Sequence, residues 1–195
     1  MWATDLLAHP VMFISSILAL ITSLAWASIA DQSTLRTPES STSKRLRISA
    51  VVNTDHEPYH AKIECWELET PFSEYPTVGK AVWLGDVANM TYVTLPQRSK
   101  EGLHHPPHSM FFVLLSGIAH VRLPTAPDSE GLWIEEGVNP LIVATDTEGI
   151  GHYTDYPGDK ETIALQVPFK DGIVPEHSVV SDGACEMPRN CADVE

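Results

Sequence analysis

Basic residues are scarce in this chain of 195, which holds 12 Lys and Arg against 26 Asp and Glu, a formal net charge of -14. Binding to nucleic acid draws on a basic face that neutralises phosphates, so no nucleic-acid partner is expected. Electrostatic docking on an anionic membrane is disfavoured for the same reason. Cysteine is equally sparse, with three residues and no CxxC pair, which removes a zinc ribbon or a dithiol redox motif. No Gly-rich phosphate loop and no Ser nucleophile elbow is present, so a nucleotide cofactor and a hydrolase triad on that elbow are not expected. Helical periodicity is missing after residue 30, and no internal repeat is visible. A chain of this length fits one domain with appendages.

Long apolar runs are confined to residues 11–30, VMFISSILALITSLAWASIA. Ser28 and Ala30 form a small-residue cleavage pattern ahead of Asp31, so residues 1–30 read as a secretory signal peptide. The segment before the run carries Asp5 and no Lys or Arg, which keeps an uncleaved membrane anchor open, since about 20 apolar residues span a bilayer. The protein is therefore expected to be secreted or in the lumen of the secretory pathway, touching a membrane only if the segment stays attached. Residues 31–44 are Ser/Thr-rich and read as a flexible linker. The folded domain is placed at residues 45–170 and a polar tail at 171–195. In an oxidising compartment Cys185 and Cys191, separated by EMPRN, are expected to form a short-loop disulfide, leaving Cys65 as a small buried hydrophobe. Asn89-Met90-Thr91 is an N-glycosylation sequon.

Strand signals recur at short intervals. Residues 46–52, 62–69, 80–84, 90–95, 110–115, 118–123, 132–135, 141–145, 150–156 and 161–168 are apolar or alternating and are separated by Gly/Pro turns. The pattern predicts an all-β sandwich or barrel. Residues 110–115 (MFFVLL) are continuously apolar, as in a strand buried on both faces, and Ser116-Gly117 predicts a hairpin turn into residues 118–123. Phe111, Phe112 and Trp133 read as core aromatics. His56 and His60 flank Pro58 in a polar loop and read as surface residues.

The segment GLHHPPHSMFFVLLSG, residues 102–117, gathers His104, His105 and His108 at the mouth of the apolar strand. Imidazole is the commonest metal ligand and titrates near neutral pH, so clustered histidines there point to metal or acid/base chemistry. The segment resembles the first motif of the cupins, and residues 84–96 and DTEGIGHYT at 146–154 resemble the preceding strand and the second motif. That resemblance implies a single cupin-type jelly-roll β-barrel. It aligns His104 with the first ligand histidine and His152 with the last, while Pro106 and Met110 stand where a second histidine and a Glu are usual. His108 is the candidate substitute, on the same face as Met110 and Phe112 if the strand is regular.

Three readings follow. His104, His108 and His152 hold a divalent metal (Fe, Cu, Mn or Zn); or the site is metal-free and a histidine acts as general acid/base; or the histidines are structural. Met110, Phe112 and Gln166 are expected to line the substrate pocket. By resemblance, the activity implied is that of a cupin-type oxidoreductase or tailoring enzyme on a small organic molecule, in the manner of fungal cupins of polyketide and other secondary-metabolite pathways. A metal-free isomerase or lyase and a non-catalytic ligand-binding cupin are the alternatives. Pairing through strand edges, as a homodimer, is expected by analogy.

Overall fold

The computed structural model describes residues 45–186. The apolar segment, the linker and Cys191 lie outside them. Among the described residues there is no α-helix. The chain forms β1 (Arg45–Asn53), β2 (Ala61–Pro71), β3 (Ser73–Glu74), β4 (Lys80–Ala81), β5 (Thr91–Leu95), β6 (Ser99–His104) and β7 (Met110–Ser116). It continues with β8 (Ile118–Arg122), β9 (Leu132–Glu135), β10 (Leu141–Ala144), β11 (His152–Tyr156), β12 (Thr162–Pro168) and β13 (His177–Asp182). Beside the small β3-β4 ribbon, two main sheets result: a seven-stranded one in the order β13-β2-β1-β10-β7-β12-β5, and a four-stranded one in the order β6-β11-β8-β9. They pack as a sandwich with free edges rather than closing into a barrel. The fold is all-β, as the turn spacing predicts.

Strand β7 is buried on both faces, and the reason is visible in its two neighbours. Phe112 and Leu114 enter the core between the sheets, beside Val51, Ile63, Val121, Ile134 and Ile142. Phe111 and Val113 face the other way and pack with Ile48, Trp66, Val143 and Phe169 under the chain segments that cross the outside of the larger sheet. A strand covered twice has no polar face to keep, which explains the unbroken MFFVLL run.

The expected hairpin between β7 and β8 does not form. Strand β7 pairs with β10 and β12, whereas β8 pairs with β9 and β11. Gly117 is instead a corner at which the chain leaves one sheet for the other. Its φ is +97°, and a Cβ there would stand 3.0 Å from Thr162 Cα, so the corner has room for glycine alone. The same switching of sheets recurs between β9 and β10 and between β11 and β12.

The tail corrects the expected cysteine pairing. Within it, β13 adds to the edge of β2, with Val179 opposite Trp66 and Asp182 opposite Glu64. That pairing carries Cys185 to Cys65, and the two form the disulfide, with Cα atoms 4.6 Å apart. Cys65 is therefore no lone hydrophobe, and Cys185 is not bonded to Cys191. A short sequence separation suggested the latter pairing; strand addition across 120 residues decides the former. Trp133, read as a core aromatic, is 45% exposed on the outer face of the smaller sheet, where it stacks on His120.

Candidate functional site

Strand β11 alternates strictly, with His152, Thr154 and Tyr156 buried and Tyr153 and Asp155 turned outward. Its neighbour β6 breaks that alternation. His104 pairs with His152 and Glu101 with Thr154, so three residue steps on β6 face two on β11. The bulge, at Gly102-Leu103, turns both Glu101 and His104 towards the same side as His152 and Thr154. Gly151 permits the close approach at the end of this pair. It has a φ of +75°, and a Cβ there would stand 2.1 Å from the His104 carbonyl oxygen.

These side chains form the polar wall of a cavity of about 210 Å³ between the sheets. Glu101, His104, His152, Thr154 and Tyr156 come from the smaller sheet; Val51, Met110, Phe112, Ile142, Ala144 and Gln166 come from the larger. His105, Pro106 and Pro107 add to the lining from the loop before β7, and Val121 and Ile134 from the smaller sheet. Both His104 and His152, and the expected pocket residues Met110, Phe112 and Gln166, thus meet in one place. The His104 and His152 rings sit edge to face with centroids 4.6 Å apart.

His108 does not join them. The prolines at 106 and 107 delay the strand until Met110, so the parity that would align His108 with Met110 and Phe112 never begins. His108 is exposed and lines a separate cleft with Asn89, Thr91 and Asp171. The set His104, His108 and His152 does not converge, and no group of three His, Cys, Asp or Glu among the described residues is arranged to hold a metal ion. His108 thus lines a different cleft from His104 and His152, and the three side chains do not share one cavity.

What does converge is a chain of hydrogen bonds. His152 Nδ1 donates to Asp146 Oδ2 at 2.5 Å, and Asp146 is fully buried, with its Oδ1 lacking any partner. His105 Nδ1 donates to the Asp146 carbonyl at 2.9 Å, and His104 Nδ1 to the Gly102 carbonyl at 2.8 Å. The Tyr156 hydroxyl donates to Glu101 Oε2 at 2.8 Å, which lies 3.5 Å from His104 Nε2. Burial, and then the neighbouring Glu101 carboxyl, push the Tyr156 phenol above its ordinary range, so it stays a donor.

Sequence reasoning did not single out Glu101, Asp146, Thr154 or Tyr156. The signal for Thr154 and Tyr156 was present, since both follow His152 at even spacing. Glu101 was hidden by the bulge, and Asp146 by its place in a loop. His120 is 7% exposed and off the site; burial, and then Arg122, lower its pKa. Comparison with protein-family models, with curated proteins and with solved structures returns no match.

Proposed function

We propose that this protein is a small tailoring enzyme that moves a proton on a small organic molecule, an isomerase or lyase built on a cupin-type jelly-roll sandwich. The observation that carries this reading is the Asp146–His152 pair at the cavity wall. A buried carboxylate that accepts from Nδ1 fixes the imidazole tautomer and stabilises the imidazolium formed when Nε2 takes a proton. His152 is then the catalytic base and Asp146 its positioning residue. A base so placed contributes roughly 100-fold to 10,000-fold. The cavity suits the reading in size, since about 210 Å³ holds a small ligand and no polymer. The jelly-roll assignment draws its support from His104 and His152, which the cupin resemblance aligns with the first and last site histidines and which lie opposite one another on β6 and β11. The metal-dependent oxidoreductase implied by that resemblance has less support, because His108 stands apart.

Passage through the secretory pathway belongs to the same proposal. The Cys65–Cys185 disulfide suits an oxidising compartment, and the sequon residue Asn89 is exposed.

The test is incubation of the full-length protein in heavy water with a library of small cyclic ketones, enols and phenols, with deuterium uptake read by NMR. Uptake is expected with at least one library member, falling by about 100-fold or more in His152→Gln and about tenfold to 100-fold in Asp146→Asn, with both variants folded by circular dichroism. Exchange that survives His152→Gln would sink the proposal. Binding of library members without exchange in wild type would replace the enzyme with a ligand-binding protein.

A further inference from the structure

The cleft that takes in His108 measures about 680 Å³ and is walled by the start of β5, the loop before β7 and the turn after β12. Neither His152 nor Asp146 lines it. Its polar side chains are Asn89, Thr91, His108, Ser109, Thr147 and Asp171, and Pro107 and Pro168 add apolar atoms. Hydroxyl, amide, imidazole and carboxylate groups between them give and accept hydrogen bonds, which suits an uncharged, hydroxyl-rich ligand with apolar ring faces. The volume lies in the range of clefts that hold small ligands, roughly 300 to 1,000 Å³. Two members of this wall have a second property. Asn89 and Thr91 are the acceptor and the hydroxyl residue of the only Asn-X-Ser/Thr sequon in the chain. Both are exposed, and Asn89 stands before β5 rather than within its ladder.

We infer that this cleft is the seat of an N-linked glycan carried by Asn89, its first N-acetylglucosamine units lying against Thr91, His108 and Asp171; the inference rests on passage through the secretory pathway, where such sugars are added. In the transfer a host oligosaccharyltransferase joins Asn89 Nδ2 to C1 of the sugar. The bond from C1 to the diphosphate of a lipid-linked oligosaccharide breaks, and the lipid diphosphate leaves as Nδ2 gives up one proton. Attachment on the wall itself holds the sugars at an effective concentration on the order of millimolar, so contacts too weak to capture a free sugar keep this one seated. The seat adjoins the acid/base site. Pro107 lines both the cleft and the cavity of His152, Thr147 follows Asp146, and His105 donates to the Asp146 carbonyl. A seated glycan therefore braces the two segments that carry His105 and Asp146.

The experiment is expression of the full-length chain, with its own N-terminal segment, in a yeast host, recovery from medium or secretory membranes, and intact mass measurement followed by amide hydrogen exchange. One glycan is expected, and Asn89→Gln is expected to remove it. The amides of His108, Thr147 and Asp171 are expected to exchange about tenfold more slowly in the glycosylated protein than in Asn89→Gln. In a His108→Ala, Asp171→Asn double variant, folded by circular dichroism, the glycan is expected to remain and that protection to be lost. A chain that enters the secretory pathway with Asn89 unmodified would overturn the inference and leave the secretory reading standing. A glycan that leaves those amides exchanging as in Asn89→Gln, or protection that survives in the double variant, would overturn the seat. A chain that stays in the cytosol would overturn the secretory reading and the inference with it.

Discussion

Tyr156 is the residue of the site whose ionisation the fold changes most. Its phenol is held above the ordinary value of about 10 by burial first and by the Glu101 carboxyl second. Below that value folded and unfolded chains both keep the proton, so the residue adds no slope to stability. Above it the unfolded chain loses the proton while the folded chain retains it, and stability must fall as pH rises. Tyr156→Phe is expected to remove this alkaline loss and to cost about 1 kcal/mol at neutral pH through the missing bond to Glu101. Urea midpoints at about pH 8 and about pH 10.5 measure both effects, and an alkaline loss equal in the two proteins would exclude Tyr156 as its source. At this scale the sequence was informative about residue type and poor about partners. His104 stood out within a cluster of imidazoles and His152 only through the resemblance to the second cupin motif, whereas Asp146 acquires its role only by burial beside His152.

Among the elements, the paired strands β6 and β11 build the site, and one of them was hard to read. SKEGLH carries a single large apolar residue, a glycine and a bulge, so its alternation cancels and the segment has no strand period. Strand β11 alternates without interruption and was legible. The junction between them depends on Gly151, where both a positive φ and the His104 carbonyl exclude a side chain. Gly151→Ala is expected to destabilise the fold by at least about 1 kcal/mol and to disturb the His104 and His152 ring signals together. Thermal melts with histidine NMR check this, and a variant with wild-type stability and wild-type ring signals would show that the strand ends tolerate separation. Strand β7 was legible for the opposite reason: covered on both faces, it keeps only apolar residues through most of its length.

For the whole molecule, the decisive features join distant parts of the chain. The Cys65–Cys185 disulfide closes a separation of 120 residues, enough in the chain-entropy view for roughly 4 to 5 kcal/mol of stabilisation. Cys65→Ser or reduction is accordingly expected to lower the melting temperature markedly, whereas Cys191→Ser is expected to leave it unchanged. Equal losses in the two variants would mean that the bond between Cys65 and Cys185 is not the one that matters. The sequence by itself determined that the chain is all-β and that β7 lies inside, because periodicity and apolar content are local properties. Tertiary structure alone decided that β7 and β8 part company at Gly117, that Cys185 meets Cys65, and that His108 is left out while Glu101, Asp146 and Tyr156 are drawn in. Those outcomes depend on which strands share a sheet and in what register, and strand pairing is a contact between segments far apart in the chain.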